Sequence, residues 1–120
     1  MLRFMLKAKI HRATVTESDI DYEGSLTVDR DLMDTAGIVP FEKVGVYNIN
    51  NGERFETYVI EGERGTGVMG LNGAAARKGM VGDLIIVATY TGVTVEELGG
   101  YKPTILLLDA QNNVKEQLDK

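Results

Sequence analysis

The 120-residue sequence predicts a mainly β fold, a small β-barrel with one or two short helices. Three observations support this prediction. The apolar and alternating segments are short and end at turn-forming residues, which is typical of strands. The 14 glycines suit compact connections between such strands. No linker, internal repeat or low-complexity tract divides the sequence, so we expect a single domain over residues 1–120.

The first predicted strand covers residues 5–15, where charged and apolar residues alternate weakly. In extended chain this pattern puts Lys7, Lys9 and His11 on one face and the apolar side chains on the other. A second strand is predicted over residues 25–29.

A short helix is predicted immediately afterwards, from Arg30 to Ala36. Asp29 is a residue type that caps helix N-termini, because its carboxylate accepts hydrogen bonds from free N–H groups of the first turn. Gly37 suits the C-terminal end, where a left-handed residue commonly closes the last turn.

Two further strands, 44–49 and 54–60, flank the segment NINNGE. Asn51 and Gly52 tolerate the positive φ that a tight turn needs, so the two strands are predicted to form a hairpin.

The second half of the chain alternates between glycine-rich and apolar segments. Residues 61–82 have no long apolar period and are predicted to form a loop with little regular structure. Residues 83–91 and 104–108 are nearly continuous apolar runs and are predicted to be buried strands. The polar tail, residues 112–120, is predicted to fray.

Composition excludes several classes of function. The chain has no cysteine, which rules out disulfides, zinc–thiolate sites, iron–sulfur clusters and cysteine nucleophiles. His11 is the only histidine, so one chain cannot form a multi-histidine metal site. The net charge of −5 argues against general nucleic-acid binding. No apolar run is long enough to span a membrane, and the charged first segment is unlike a secretory signal, so we expect a cytoplasmic protein.

Two known motifs occur without the context that they need. Gly65–Gly70, GTGVMG, matches the dinucleotide-binding pattern, but no helix start follows and residues 88–90, about 20 positions on, are not acidic. These glycines are better explained by turns. Asp34–Gly37, DTAG, resembles the aspartic-protease triplet, but Ala36 interrupts it and a helix ending at a glycine explains it better.

Other segments have side chains suited to a small anionic ligand. Arg54 can bind a carboxylate through two hydrogen bonds, and Tyr58, on the same strand face, can donate a proton, whereas Thr57 points to the opposite face. A solvated Arg and a half-buried Tyr are the alternative. The stretch Asn72–Ala76, NGAAA, could approach a ligand closely and hold a carboxylate with its N–H groups, or form a tight turn with packed alanines. Lys9 could bind an anion or belong to a solvated strand face.

Ser25 follows Gly24 in the stretch YEGSLT. A nucleophilic serine normally needs a base within hydrogen-bond reach, and the sequence does not place one, so Ser25 could simply begin a strand. Gly24, however, permits backbone geometries that are closed to other residues. Such a geometry could bring the Ser25 hydroxyl to the carbonyl carbon of the preceding peptide.

Taken together, these segments resemble the aspartate 1-decarboxylase family, the pyruvoyl-dependent enzymes that make β-alanine for pantothenate. The matching stretches are MLKAKIHRATVT, DYEGSLTVD, AGI, NGERFETYVI, ERGTGVMGLNGAAAR and VGDLIIVATY, which lie within residues 1–91. The steps Y-E-G-S and N-G-A-A-A are the most specific of them. The chain departs from many members at Tyr47, where a tryptophan is expected, and the last 25 or so residues match only loosely.

The resemblance implies a fold, an assembly and a maturation step. It implies a double-psi β-barrel and a homotetramer with active sites between neighbouring subunits. Ser25 would attack the carbonyl of Gly24, helped by Thr57 and Tyr22, and the resulting ester would split by elimination into a 1–24 chain and a 25–120 chain. Hydrolysis at position 25 would then give an N-terminal pyruvoyl group, whether or not a helper protein takes part.

The resemblance also implies the reaction, the decarboxylation of L-aspartate to β-alanine and CO2. The pyruvoyl group, a covalent cofactor made from Ser25, would form a Schiff base with the substrate, so that neither a metal nor pyridoxal phosphate is expected. Tyr58 is implied as the proton donor and His11 as a supporting residue. The implied substrate-binding residues are Lys9, Arg54, Thr57, Asn72, Gly73, Ala74 and Ala75. The alternative hypothesis is a non-enzymatic β-barrel module that binds a partner or a small anion and keeps Ser25 unprocessed.

Overall fold

The computed structural model describes residues 1–119, which form a nine-stranded mixed sheet, one α-helix and two short 3-10 helices. The strands are β1 (Leu2–Thr14), β2 (Glu17–Asp19), β3 (Ser25–Asp29), β4 (Lys43–Asn48), β5 (Arg54–Gly62), β6 (Met69–Asn72), β7 (Leu84–Thr94), β8 (Thr104–Leu108) and β9 (Val114–Asp119). Helix α1 covers Arg30–Ala36, and the 3-10 helices cover Gly73–Lys78 and Val95–Glu97. No helix in this part of the chain is long and apolar enough to cross a membrane.

The strands follow the spatial order β2-β6-β3-β5-β4-β7-β1-β8-β9. Most neighbours are antiparallel, but the pairs β1–β8, β2–β6 and β3–β5 are parallel. Parallel neighbours need crossover connections, so segments far apart in sequence become adjacent in the sheet. Strand β1 in particular pairs with β7 along one edge and with β8 along the other.

A single core holds the sheet together. Side chains from β1, β3–β8 and α1 pack in one cluster, and its largest fully buried members include Ile10, Leu26, Met33, Met69 and Ile85. Because one sheet supplies most of this cluster, the sheet must curl around it. The structure therefore confirms the predicted mainly β class with short helices and is consistent with a small β-barrel.

The local signals around Asp29 predicted the helix correctly. Asp29 caps α1 by accepting a hydrogen bond from the Asp31 amide at 2.8 Å, and Gly37 ends the helix in the left-handed region with φ +76°. The same carboxylate accepts hydrogen bonds from the amides of Gly65 at 3.1 Å and Gly67 at 2.8 Å. These two glycines have positive φ. The GTGVMG stretch thus contains turn glycines that hold the protein's own carboxylate.

The strand predictions were confirmed with small shifts of boundary. Strands β3 and β8 have the predicted limits, and β1, β4, β5 and β7 differ from their predicted limits by three residues or fewer at each end. Strands β4 and β5 form the predicted antiparallel hairpin, in which Gly52 has φ +76°. Strand β2 was not predicted, because its three residues are exposed and give no apolar pattern.

The prediction of a loop with little regular structure over residues 61–82 was wrong. Residues Met69–Asn72 form β6, which lies between β2 and β3 and has all four residues buried, and Gly73–Lys78 form a 3-10 helix. Pairing on both edges stabilises this segment despite its glycine content, because strand formation depends more on neighbours than on intrinsic propensity.

The prediction of a fraying tail was also wrong for the residues that the structure describes. Val114–Asp119 form β9, which pairs with β8 at the edge of the sheet. Asn112 anchors the turn before β9. Its side-chain nitrogen Nδ2 donates hydrogen bonds to the carbonyls of Thr14 at 2.9 Å and Gly67 at 2.7 Å. Residue 120 lies outside the described residues.

Candidate active site

Ser25 begins β3 and is almost completely buried, with 1% of its surface exposed. It lies directly opposite Asn72 of the antiparallel strand β6. Its Oγ accepts a hydrogen bond from Asn72 Nδ2 at 3.0 Å and donates one to the carbonyl of Glu23 at 3.3 Å. Both partners are amide groups, so the arrangement differs from a hydrolase site in which a histidine or carboxylate takes the proton of the serine.

Gly73 brings the NGAAA stretch directly against Gly24, the residue before Ser25. Its φ is +61°, and a Cβ built on it would lie 2.7 Å from both the Cα and the nitrogen of Gly24, and 2.8 Å from the carbonyl oxygen of Tyr22. Glycine is therefore required here twice, for its positive φ and for the close approach. The close backbone approach predicted for this stretch is an approach to the chain's own segment 22–24.

Gly24 itself does not use the conformational freedom that the sequence suggested. Its φ is not positive, and a Cβ built on it would have no heavy atom within 4 Å, its own chain neighbours aside. The close packing at Gly24 therefore depends on Gly73, which has no Cβ.

A cavity of about 210 Å³ lies beside Gly24. Three residues that the resemblance implies for substrate binding, Thr57, Ala74 and Ala75, line this cavity. The remaining lining residues are Phe55, Glu56 and Lys78. Small side chains thus leave room for a ligand next to the Gly24–Ser25 bond.

Lys9 and Arg54 line a different cavity, of about 350 Å³. Among the described side chains neither cation takes part in an ion pair. The Arg54 guanidinium lies over the Tyr47 ring, 3.8 Å from its centroid, which is cation–π geometry. The Tyr47 hydroxyl is in turn 3.0 Å from the Tyr90 hydroxyl. This cavity therefore offers two positive charges and a fixed guanidinium plane to an anion.

Gly45 and Tyr90 explain how the Tyr47 ring is held. Gly45, two residues before Tyr47 on β4, leaves room for its hydroxyl, because a Cβ there would lie 2.5 Å from that oxygen. The hydrogen bond to Tyr47, together with burial, raises the pKa of Tyr90 above its ordinary value of 10.0. Tyr90 was missed in the sequence, since its contact with Tyr47 depends on the pairing of β4 with β7.

Lys7 shares a strand face with Lys9 but does not add to the free positive charge. Its ammonium group forms an ion pair with Glu42 at 2.9 Å, and Glu42 also accepts a hydrogen bond from Thr89 at 2.7 Å. Burial raises the pKa of Glu42, but the hydrogen bonds from Lys7 and Thr89 outweigh it and the net pKa is lowered. Lys9 is thus the cation that this part of β1 contributes.

His11 is not a cation of the site near neutral pH. Burial lowers its pKa below the ordinary 6.5, and the positive charges of Lys9 and Arg12 lower it further. Its Nδ1 is buried and has no hydrogen-bond partner among the described side chains.

Tyr58 immediately precedes Val59, which pairs with Leu26 beside Ser25 on the parallel strand β3. It is on the same face of β5 as Arg54, is 36% exposed, and packs against Phe41 with 6.2 Å between ring centroids. It lines neither of the two cavities. One chain therefore brings Gly24 and Thr57 to one cavity and Lys9 and Arg54 to another.

The chain matches known proteins over nearly its full length. The family model described as aspartate decarboxylase matches residues 1–115. A protein of Desulfotalea psychrophila named aspartate 1-decarboxylase is 55% identical over 116 residues, which cover 97% of this chain and 98% of the relative. One of Syntrophus aciditrophicus with the same name is 57% identical over 115 residues, covering 96% of this chain and 99% of the relative.

Proposed function

Because the chain belongs to the aspartate decarboxylase family, we propose that it converts L-aspartate to β-alanine and CO2 with a pyruvoyl group made from its own Ser25. The β-alanine would serve pantothenate synthesis, and we propose the cytoplasm as the compartment in which this enzyme draws on free aspartate. Its two chains would be 1–24 and 25–120.

The residues around position 25 fit such a group. The Ser25 side chain is buried, and the absence of a Cβ at Gly73 lets Gly24 pack closely against it. The small side chains of Thr57, Ala74 and Ala75 line part of the adjoining cavity. When formed, a pyruvoyl group supplies a ketone for the substrate amine and a carbonyl that withdraws electrons from the bond to the leaving carboxylate.

Self-cleavage would begin at the Ser25 hydroxyl. Its Oγ bonds to the carbonyl carbon of Gly24, the bond from that carbon to the Ser25 nitrogen breaks, and the serine proton passes to this nitrogen. Thr57 lines the same cavity as Gly24, and we assign its hydroxyl to the carbonyl oxygen on which negative charge develops. Tyr22, whose carbonyl contacts the Gly73 position, would help to fix the segment.

Elimination completes the maturation. Loss of the Ser25 α-proton releases Gly24 as a carboxylate and leaves a carbon–carbon double bond at residue 25. Addition of water with loss of ammonia then gives the ketone. The observation that carries this proposal is the close contact between Gly73 and Gly24, because it packs the NGAAA stretch against the residue whose carbonyl Ser25 would attack.

We assign the binding of the substrate carboxylate to Arg54 and Lys9, and the donation of the proton that replaces CO2 to Tyr58. The two cations would bind a carboxylate of aspartate, and the Tyr58 phenol would protonate the carbon that has lost CO2. Within one chain, Lys9 and Arg54 line a different cavity from Gly24 and Thr57, which supports active sites between subunits of a homotetramer. There the Ser25 side of one chain would meet the cationic cavity of its neighbour.

Intact-mass measurement together with CO2 release tests the proposal. We expect the purified protein to separate under denaturing conditions into chains 1–24 and 25–120. The mass of the 25–120 chain should be lower than its sequence predicts, because Ser25 has become a pyruvoyl group. The native protein should release CO2 from aspartate. Ser25→Ala is the control and should remain one inactive chain. A wild-type chain that stays intact and releases no CO2 would instead indicate the unprocessed binding module.

A further inference from the structure

We propose that Thr27 is a positioning residue for self-cleavage, because its hydroxyl holds the Asn72 carboxamide in the orientation that donates to Ser25 Oγ. This inference rests on the proposed function and concerns its maturation step. Thr27 belongs to none of the site residues assigned above.

The sheet register brings the three side chains together. Ser25 pairs with Asn72 and Thr27 pairs with Gly70 across the antiparallel strands β3 and β6. Ser25 and Thr27 therefore share one face of β3, and Thr27 is the diagonal neighbour of Asn72, within reach of its side chain.

Asn72 uses one nitrogen to contact both hydroxyl groups. Its Nδ2 lies 3.0 Å from Ser25 Oγ and 2.8 Å from Thr27 Oγ1. An amide NH2 group has two protons, so each hydroxyl receives one. Asn72 is 4% exposed. Since little solvent reaches it, water is a poor substitute for either partner.

The orientation of Thr27 is fixed by two glycines on the neighbouring strands. A Cβ at Gly62 would lie 2.9 Å from the Thr27 methyl carbon, and a Cβ at Gly70 would lie 3.4 Å from its Cβ. The Thr27 side chain thus occupies space that these glycines leave open. A β-branched side chain has few available χ1 angles, so packing of the methyl group beside Gly62 directs the hydroxyl towards Asn72.

This hydrogen bond matters because the Asn72 side chain does not fix its own orientation. The terminal torsion of an asparagine is broad, and the bond to Thr27 removes that freedom. During attack on Gly24 the Ser25 proton leaves Oγ for the Ser25 nitrogen, and negative charge develops on Oγ. An N–H aimed at Oγ favours the charged form and so accelerates the step.

Thr27→Val removes the hydroxyl and keeps the shape, and Thr27→Ser keeps the hydroxyl. The three proteins are produced by cell-free synthesis, and the fraction of intact chain is followed by mass over time. We expect Thr27→Val to cleave about tenfold more slowly than wild type, and Thr27→Ser to cleave within about threefold of wild type. A Thr27→Val chain that cleaves at the wild-type rate would overturn the inference, as would a Thr27→Ser chain as slow as Thr27→Val.

Two further comparisons separate positioning from folding. Thr27→Ala against Thr27→Ser tests the hydroxyl without the added methyl group, and Ala should be the slower. In the Asn72→Ala background, Thr27→Val should have no additional effect on the cleavage rate, because Thr27 acts through Asn72. If Thr27→Val slows cleavage as much in that background as in the wild-type protein, Thr27 does not act through Asn72. Failure of the wild-type chain to cleave at all would count against the proposed function, whereas normal cleavage of Thr27→Val would count only against this inference.

Discussion

Substitution of Gly73 by alanine should disable maturation before it abolishes folding. A left-handed φ costs a non-glycine residue about 1–2 kcal/mol, and overpacking adds about 1–3 kcal/mol. A single domain stable by about 5–15 kcal/mol can absorb much of this. To restore an ordinary contact of 3.4 Å from the 2.7 Å that a Cβ would have, Gly24 must move by about 0.7 Å. A misplacement of about 1 Å can slow a reaction by about 100-fold, and we expect a loss of that order in the rate of cleavage.

The assay is the time course of intact mass, with thermal unfolding measured in parallel. Gly52→Ala is the matched control, because Gly52 has a similar φ of +76° but no heavy atom within 4 Å of its Cβ position. We expect this control to lose about 1–2 kcal/mol of stability and to cleave normally. Cleavage of Gly73→Ala at the wild-type rate, or equal slowing in both variants, would refute the reasoning.

Three other predictions concern residues that do not line the cavity beside Gly24. Tyr58→Phe should still cleave but turn over at least about 100-fold more slowly, measured as CO2 released per mole of cleaved chain; unchanged turnover would remove Tyr58 as the proton donor. Tyr90→Phe removes the hydrogen-bond partner of the Tyr47 hydroxyl, so the Tyr47 ring beneath the Arg54 guanidinium is held less firmly. KM for aspartate should therefore rise about threefold with kcat little changed. An unchanged KM would show that the hydrogen bond between the two tyrosines does not contribute to substrate binding. Glu42→Gln should lower the free energy of unfolding at neutral pH. Burial raises the pKa of Glu42, but hydrogen bonds such as that from Lys7 lower it by more, so the folded state favours the ionised carboxylate. Glutamine cannot carry that charge and loses this stabilisation. Urea denaturation should show this difference in full above the ordinary pKa of 4.5 and show it shrinking as the pH falls through the lower folded value; a constant difference would contradict it.

The parts of the fold that depend on local interactions were predictable from the sequence. The helix from Arg30 to Ala36 has the predicted cap and the predicted C-terminal glycine, because both signals act within a few residues. Strand β6 was missed because its four residues owe their conformation to β2 and β3 on either side, and β9 was missed because it is a polar edge strand that depends on β8.

The candidate site divides in the same way. The resemblance pointed to Gly24, Thr57 and Ala74, and the structure brings these three to one cavity. Neither local patterns nor the resemblance identified Glu42 or Tyr90, because their roles arise from contacts across 35 and 43 positions of the chain. Such long-range contacts leave no pattern in the local sequence, whereas the run of small residues around Gly73 is visible there.

The position of β1 has a consequence for the proposed self-cleavage. The bond between residues 24 and 25 lies in the turn between β2 and β3, so the 24-residue product carries all of β1, which pairs with β7 on one edge and β8 on the other. Its buried residues Ala8, Ile10 and Ala13 belong to the common core. The two chains of the matured enzyme would thus be held together by fragment complementation. The shorter chain would supply β1, an interior strand of the sheet. The shorter piece also carries β2, the partner of β6, so the longer piece made alone would have unpaired edges on β6, β7 and β8 that are prone to aggregation. Folding must therefore precede cutting.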